Sequence, residues 1–384
     1  MTLIIFITLL LFILGIIEKR RHLNRLHQIP IRIHINGTRG KSLLVRMITD
    51  MFQEEGYLVA AKITGERPQF FTSKTGWSSW PRRAPARIKE QMRFIKHVYA
   101  QRPQVLVVEN MALEIENQFA AESFMVQSNL CVITNFRPDH QEIMGNTRED
   151  MAQILSLSFP QNSTILLPET ELLPMIKTAA NKLKSELITV KVPTSNKEPN
   201  LPVFNAHFAL LKEIRNRYNI SQQAYELTVK QWQKQLQPQN LLIPLPCRAG
   251  KKYLINLFSC NDVTSAGEIV RHLEDEGTIY PPYDIILTCR VDRPLRTGAF
   301  LQWILSRLEW HKIILAGTFP KLLVHRLFSR YQDKLQHILV NSQNNPDQII
   351  SQLKKSAPFI LGVGNYIGTG EKVLSYLGGN QNDH

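Results

Sequence analysis

The chain has 384 residues, of which 43% are hydrophobic and 20% are charged, which excludes a disordered protein and allows two domains of ordinary size. Lys and Arg outnumber Asp and Glu by 46 to 32, and the net charge of +14 suits nucleic acid, anionic lipid or an acidic substrate as partner. We predict no nucleic-acid partner, because the sequence shows no recognition helix, Cys/His finger or aromatic-rich RNA-binding strand. The four cysteines are scattered without C-x-x-C spacing, which predicts reduced thiols rather than disulfides or zinc ligands.

The chain opens with an almost unbroken apolar run over residues 2–17, followed by Glu18 and then by basic residues. As a helix this run spans roughly 24 Å, and snorkelling basic side chains extend it toward the bilayer core of about 30 Å. A cleaved signal peptide is the alternative, but no basic residue precedes the run and no small-x-small site follows it. We therefore predict a transmembrane anchor with a basic flank at residues 1–22, the N-terminus outside and all later residues in the cytoplasm.

A strand, a glycine-containing turn and a helix follow the anchor. Alternation of apolar and polar residues over 31–36 predicts the strand, and helical spacing over 43–56 predicts the helix. The segment Asn-Gly-Thr-Arg-Gly-Lys-Ser between them brings glycines, helix amides, a lysine cation and a serine hydroxyl together, which suits a nucleoside triphosphate with Mg²⁺. The full Walker A motif has its first glycine where this chain has Ile35, so the alternative is a fortuitous Gly-Lys-Ser. The strand–turn–helix context favours the phosphate loop, with the residues Gly37, Thr38, Arg39, Gly40, Lys41 and Ser42.

Two buried strands, 105–108 and 130–133, are each followed by polar residues. Continuous apolar runs between helices predict a parallel sheet covered on both faces, with ligands outside the carboxyl ends of its strands. Glu109 and Asn135 lie at those ends, and His140 follows a few residues later. Alone, Glu109 suits a helix cap and His140 a surface loop, but together beside a phosphate loop they predict a Mg²⁺ site.

The rest of the chain indicates a second domain. Residues 66–87, rich in Pro, Ser, Arg and aromatic residues, predict a long loop over the site or a disordered excursion, and residues 172–187 predict a helix. Residues 235–240 form the best boundary by composition, after which strands and helices alternate again. We predict a nucleotide-binding domain at 28–235 and a Rossmann-like α/β domain at 241–384.

These motifs resemble those of Mur ligases and folylpolyglutamate synthases. Closer still, the chain resembles the ligase subunit of poly-γ-glutamate synthases, the PgsB/CapB type, from the anchor to the last helix and most weakly at about 65–100 and 170–240. The shared segments are the anchor followed by Glu-Lys-Arg-Arg, the phosphate loop, Glu-Asn-Met-Ala at 109–112, Asp-His-Gln-Glu-Ile-Met-Gly at 139–145, Asn-Asp at 261–262, Cys-Arg-Val-Asp-Arg at 289–293 and Gly-Val-Gly-Asn at 362–365.

The resemblance implies an α/β protein: an N-terminal transmembrane anchor, a P-loop Mur-ligase-like central ATPase domain with a mainly parallel sheet, and a Rossmann-like C-terminal domain. It implies an ATP-dependent amide ligase that polymerises glutamate through γ-linkages by way of an acyl phosphate, with ATP and Mg²⁺ as cofactors. The implied partners are glutamate or the poly-γ-glutamate chain, the membrane, a small multi-span membrane subunit and an export or anchoring subunit.

Residue roles are also implied by the resemblance. The implied catalytic residues are Lys41, His140, Arg290, Asp292 and Arg293. The implied metal ligands are Ser42, Glu109 and His140. Asn135, Asn205 and Asp262 join the phosphate loop in the implied ATP-binding set. Mur ligases commonly carry a carbamylated lysine at the metal site, to which we assign no residue here.

Two other functions fit part of the sequence. A membrane-tethered regulatory or transport NTPase needs only the phosphate loop, and the cluster formed by Asp262 and residues 290–293 disfavours it. A folate or peptidoglycan-type ligase shares the chemistry but does not need the anchor. The γ-glutamate ligase is the function that accounts for the loop, the second domain, the anchor and the basic charge together.

Overall fold

The computed structural model describes residues 1–65, 67–82, 87–138, 141–193, 201–245, 251–260, 262–318, 338–341, 345–353 and 357–377. The chain divides into two compact units, Met1–Thr194 with Asn205–Trp232 and Ser195–Phe204 with Gln233–His384. The predicted domain limits of 28–235 and 241–384 stay a prediction.

Helix α1 runs from Thr2 to His27 and is long and apolar enough to cross a membrane. It continues without a break past the apolar run, and its last turns pack onto the first unit, where His22 and Leu26 are buried. The segment predicted as an anchor is therefore continuous with a helix that ends inside the fold of the first unit.

The first unit is built on a sheet whose strands, in chain order, are β1 Ile31–Asn36, β2 Val59–Ile63, β3 Gln69–Thr72, β4 Gly76–Ser79, β5 Val105–Glu109, β6 Leu130–Ile133, β7 Thr164–Pro168 and β8 Glu186–Val190. Their order in the sheet is β4-β3-β2-β5-β1-β6-β7-β8. All neighbours are parallel except β3, which is antiparallel to both β2 and β4. Because β1 lies between β5 and β6, the carboxyl ends of these three strands meet at one place.

Helices cover both faces of this sheet. They are α2 Lys41–Glu54, α3 Glu90–Val98, α4 Ile115–Ala120 with its π-helical continuation Ala121–Val126, α5 Gln141–Met144, α6 Arg148–Leu155, α7 Pro174–Lys182, α8 Asn205–Tyr218 and α9 Gln222–Gln235. Along β5, Leu106 and Val108 pack with Leu26 and Phe94, while the alternate residue Val107 is equally buried. Successive side chains of a strand point to opposite faces, so both faces are covered, as the continuous apolar runs predicted.

The second unit repeats this plan with a smaller sheet. Its strands are β9 Leu242–Leu245, β10 Lys252–Asn256, β11 Tyr283–Cys289, β12 Trp310–Gly317, β13 Ile338–Asn341 and β14 Phe359–Gly364, in the order β13-β12-β11-β14-β10-β9. Its helices are α10 Val263–Asp275, α11 Pro294–Arg307, α12 Pro346–Leu353 and α13 Glu371–Tyr376. Only β9 is antiparallel among the strands that the structure describes here. Ile285 and Ile286 pack into different core clusters, so this sheet is also covered on both faces. The predicted α/β class with mainly parallel sheets is confirmed.

Two local predictions were wrong. Part of the predicted loop at 66–87 forms the hairpin of β3 and β4, because its aromatic residues pack on one another and on α3; Phe71 contacts Trp77, and Phe70 contacts Phe94. The helix predicted to reach residue 187 ends at Lys182 instead. The left-handed backbone of Lys184 turns the chain into strand β8, which pairs with β7.

A buried acid joins α2 to α9. The indole Nε1 of Trp232 donates to Asp50 Oδ2 at 2.9 Å, and burial raises the pKa of Asp50 from 3.8 to about 6. Between these two values the folded state binds more protons than the unfolded state, so the free energy of unfolding falls as pH rises through this window. Asp50→Asn keeps an acceptor for Trp232 and removes the charge. We expect this variant to unfold at a higher temperature than the parent at pH 8. Its unfolding temperature should also vary less with pH between 4 and 6.

Thermal unfolding of the detergent-solubilised chain from pH 4 to pH 8 measures this effect. Glu169→Gln, which changes an exposed acid of the same unit, is the matched control and should leave the pH profile unchanged. If the unfolding temperature of Asp50→Asn varied with pH as that of the parent does, the pKa of Asp50 in the folded state would be the ordinary one.

Candidate nucleotide site

The turn between β1 and α2 adopts a backbone that only glycine accommodates. Gly37 has φ +119° and Gly40 has φ +76°, both in the left-handed region. A Cβ at Gly37 would collide with Thr134, and a Cβ at Gly40 would collide with the ring of His207. The loop therefore packs so closely against its surroundings that side chains are excluded at both positions.

Asn135, two residues after the end of β6, holds the loop through three hydrogen bonds. Its carbonyl oxygen accepts from the Thr38 amide at 3.1 Å, and its Oδ1 accepts from the Thr38 hydroxyl at 2.7 Å. Its Nδ2 donates to the Arg39 carbonyl oxygen at 3.1 Å. The structure thus brings the predicted site residue Asn135 together with the predicted phosphate loop.

Lys41 places a cation over the loop at the start of α2. Its Nζ donates to the Gly37 carbonyl oxygen at 2.7 Å. The N-cap residue of α2 is Gly40, which has no side chain to bond the amides of the first turn. The amides of this turn and the positive end of the helix dipole therefore face the same loop, an arrangement that binds phosphate groups.

Ser42 and Glu109 supply neighbouring oxygen atoms beside the loop. The Ser42 hydroxyl donates to Glu109 Oε2 at 2.9 Å, and the same carboxylate oxygen accepts from the Thr64 amide at 2.9 Å. The β1–β5 register causes this proximity, because it pairs Ile35 with Glu109. The Gln91 side chain also donates to the Glu109 carbonyl oxygen at 2.8 Å, so α3 helps to fix this strand end.

A hydroxyl beside a carboxylate suits a hard divalent cation such as Mg²⁺ or Mn²⁺. Ser42 and Glu109 therefore fit the metal that the resemblance implies. His140, the third predicted ligand, and its neighbour Asp139 lie outside the described residues. Among the residues that are described, no group of three His, Cys, Asp or Glu side chains could hold a metal ion.

Asn36 holds the phosphate loop by hydrogen bonds and was not predicted as a site residue. Its Oδ1 accepts from the Gly37 amide at 2.8 Å, and its Nδ2 donates to Gln118 Oε1 at 3.0 Å and to Ser158. Asn110 donates to the same Gln118 oxygen at 2.8 Å. A polar residue at the end of the strand, directly before the first glycine of the loop, was the available signal, because such a residue needs hydrogen-bond partners when buried.

His207 is a second residue that sequence reasoning missed. Its Nε2 donates to the Gly40 carbonyl oxygen at 3.1 Å, and burial lowers its pKa to about 4, so the ring is neutral at pH 7. The ring packs against Gly40 from helix α8. The predicted nucleotide residue Asn205 begins the same helix, and its side chain donates to the Pro193 carbonyl oxygen at 3.1 Å. No local sequence pattern marks His207, because its partner Gly40 lies 167 residues away in sequence.

The second unit places its predicted residues after the ends of β10 and β11. Arg290 donates to both carboxylate oxygens of Asp292, at 3.0 and 2.7 Å, which holds the pKa of Asp292 below its ordinary value. Arg293 immediately precedes α11. Asp262 caps α10 by accepting from the Ser265 amide and hydroxyl, both at 2.8 Å. Arg290 and Asp292 are thus brought together, and the catalytic and ATP-binding roles of these residues stay predictions.

The contact between Gly40 and His207 makes a prediction about nucleotide affinity. Gly40→Ala should weaken ATP binding at least tenfold, because left-handed backbone costs an L-residue roughly 1–2 kcal/mol and the new methyl group meets the His207 ring. His207→Ala alone removes one hydrogen bond to the loop and should cost less. In the double variant the methyl group has room, so the combined loss should be smaller than the sum of the single losses. Equilibrium binding of a fluorescent ATP analogue measures all four proteins, and strictly additive losses would show that the two residues act separately.

Comparison with known proteins places these features in context. Residues 244–380 match the family model described as the poly-gamma-glutamate synthase CapB C-terminal domain. The chain is 27% identical to the PGA synthase CapB of Bacillus subtilis (strain 168), covering 98% of each protein. It is also 27% identical to the capsule biosynthesis protein CapB of Bacillus anthracis, over 96% of this chain and 81% of that protein.

Solved structures show the same fold at low identity. A bifunctional folylpolyglutamate synthase/dihydrofolate synthase from Yersinia pestis, complexed with AMPPNP and a Mn ion, matches with a TM-score of 0.66 and 14% identity, covering 94% of this chain and 92% of that one. FolC of E. coli, in complex with DHPP and ADP, matches with a TM-score of 0.64 and 13% identity, covering 95% and 92%. The predicted resemblance is confirmed: the chain is similar to the poly-γ-glutamate synthase CapB proteins along almost its whole length and has the folylpolyglutamate synthase fold.

Proposed function

We propose that this chain is an ATP-dependent ligase that joins glutamate residues through γ-amide bonds. The observation that carries the proposal is the phosphate loop with its Ser42–Glu109 pair, in a chain similar to CapB proteins over nearly its full length. A γ-carboxylate oxygen attacks the terminal phosphorus of ATP and ADP leaves. The amine of a second glutamate then attacks the carbonyl carbon, loses a proton and expels phosphate.

The phosphate loop serves the first of these steps. The amides at the start of α2 and the Lys41 ammonium bind the phosphates and stabilise negative charge on the transferring group. We propose Mg²⁺ as the metal, with Ser42, Glu109 and His140 as its ligands; bound there, it would neutralise phosphate charge. Asn135, Asn36 and His207 hold the loop in place and are positioning residues in this scheme.

The second unit distinguishes a ligase from a simple NTPase. An NTPase needs only a phosphate site and a water molecule, whereas a ligase must also bind a carboxylate and an amine. We propose that Arg290, Asp292 and Arg293 serve ligation and that Asp262 and Asn205 contribute to nucleotide binding. Arginine suits this role because its guanidinium pairs with carboxylate and phosphate oxygens.

We also propose that α1 spans the cell membrane with its N-terminus outside, so that both units lie in the cytoplasm. The basic residues after the apolar run favour that orientation. A polymer of glutamate is a polyanion, which accounts for the net charge of +14. A small multi-span membrane subunit and an export or anchoring subunit complete the proposed assembly.

Glu109→Gln tests the metal assignment. The substitution keeps the shape of the side chain and its acceptor for Ser42 but removes the negative charge that a divalent cation needs. ATP turnover should fall by orders of magnitude because several kcal/mol of transition-state stabilisation is lost, while the nucleotide remains bound. Phosphate release and ATP affinity are measured on the same preparation, with the exposed-acid variant Glu169→Gln as control. Turnover equal to that of the control would rule out Glu109 as a metal ligand.

Arg293→Ala tests the ligase against the simple NTPase. Polymer formation should be abolished while ATP affinity remains near that of the parent, because the loop and Lys41 supply the phosphate contacts. The measurement is ATP affinity and labelled polymer yield in membranes that contain the partner subunits. Arg307→Ala, an exposed arginine at the end of the same helix α11, is the matched control. A normal polymer yield with Arg293→Ala would favour the NTPase.

A further inference from the structure

An apolar patch lies on the surface of the first unit next to the anchor helix. Ile115, Phe119 and Phe124 are 53%, 51% and 49% exposed, and they belong to α4 and its π-helical continuation. The Phe119 and Phe124 rings meet edge to face with their centroids 5.7 Å apart. We call these three side chains the α4 patch.

The anchor helix contacts this patch just beyond its apolar run. Lys19 Nζ lies 5.7 Å from the centroid of the Phe124 ring, and Lys19 follows the last apolar residue, Ile17, by two positions. Two residues of helix advance only about 3 Å. The headgroup layer extends roughly 5–8 Å beyond the hydrocarbon core on each side of a bilayer. With α1 spanning the bilayer, Lys19 therefore lies within the headgroup layer, and the Phe124 ring packs against its ammonium group.

The connection between anchor and patch is rigid. Helix α1 has no linker before the first unit, and its residue Leu26 is fully buried in one core cluster with Phe94 and Val126. His22 Nε2 is 2.9 Å from the Met125 carbonyl oxygen, and His27 Nε2 is 3.1 Å from Gln127 Oε1. These contacts hold α1 against the segment that carries the patch, so the patch cannot move away from the membrane while the anchor is inserted.

We propose that the α4 patch is a membrane-contact surface that inserts into the interface between lipid headgroups and acyl chains. This inference rests on the membrane anchor of the proposed function and goes beyond it, because the first unit then lies on the bilayer instead of being tethered above it. Aromatic side chains favour this interface, and Lys19 can extend its ammonium to the headgroups along the Phe124 ring. The acidic residues Glu114 and Glu116 beside the patch predict that insertion does not require anionic lipid.

The inner face of the same segment supports the nucleotide site. Gln118 accepts from Asn36, whose Oδ1 accepts from the Gly37 amide of the phosphate loop. Glu122 lies 2.6 Å from His34 Nδ1 in strand β1. In this proposal, α4 and its continuation contact the membrane on one face. Their other face supports the phosphate loop.

Depth-dependent quenching in liposomes tests the proposal with the full chain. In a background without the four native cysteines, single cysteines replace Phe119, Phe124, Phe12 in the anchor, or Leu227, and each carries a fluorescent label. Leu227, which is also 49% exposed but lies on α9, is the matched control. The vesicles contain neutral phosphatidylcholine with a spin label near the headgroup or deep in the acyl chain, and ATP affinity checks the folding of each variant.

We expect the spin label near the headgroup to quench the fluorescence of labels at 119 and 124 most strongly. The spin label deep in the acyl chain should quench the label at 12 most strongly. The label at 227 should be quenched only by iodide in the aqueous phase. If the label at 12 is quenched by the deep spin label but the labels at 119 and 124 are quenched only by iodide, as at 227, the patch does not contact lipid. The membrane anchor is then still supported. An unquenched label at 12 would overturn both. Shielding of 119 and 124 from lipid and from iodide alike would indicate a protein partner and overturn lipid contact.

A second measurement needs no substitution. Photoactivatable phosphatidylcholine is crosslinked to the unmodified chain in liposomes, and the adducts are mapped by peptide. We expect several times more adducts on the peptide that carries Phe119 and Phe124 than on the peptide that carries Leu227. Equal levels on the two peptides would contradict the proposal.

Discussion

The position of β1 between β5 and β6 is the constraint on which the nucleotide site depends. Its register pairs Ile35 with Glu109 on one side and Asn36 with Ile133 on the other. This pairing places the loop after β1 beside the carboxylate that ends β5 and the asparagine that follows β6. A shift of one residue would turn Asn36 to the other face of the sheet and remove its support for Gly37. The apolar cores on both faces hold this register.

The loop is further held by polar groups that are buried and therefore must be paired. Asn36, Gln118 and Glu122 are each at most 2% exposed, and each makes hydrogen bonds to neighbouring segments. Removing one partner would leave a buried group unsatisfied, at a cost of about 1–3 kcal/mol. This network fixes the backbone of the loop before any ligand binds, which is what preorganised phosphate binding requires. It also connects the loop to the segment that lies against the anchor helix.

Local sequence patterns predicted the parts of the fold and site that depend on neighbouring residues. The phosphate loop, the strand ending in Glu109 and the apolar anchor all follow from short-range periodicity and composition. The hairpin of β3 and β4 did not, because its strands are stabilised by aromatic contacts with α3. His207 and Gln118 were missed for a related reason: they lie 167 residues from Gly40 and 82 residues from Asn36 in sequence, and only the folded chain brings them together. Residues 139–140 lie outside the described residues, so the place of His140 stays a prediction.

The central claim is that this site activates a glutamate carboxylate by phosphorylation. The most direct measurement supplies glutamate labelled with ¹⁸O in its γ-carboxylate, together with ATP, to membranes containing the chain and its partner subunits, and analyses the released phosphate by mass spectrometry. An acyl phosphate intermediate transfers one carboxylate oxygen to each phosphate, so we expect one ¹⁸O in each phosphate released with an amide bond. Phosphate that takes its new oxygen only from water would contradict carboxylate activation and identify the chain as an NTPase.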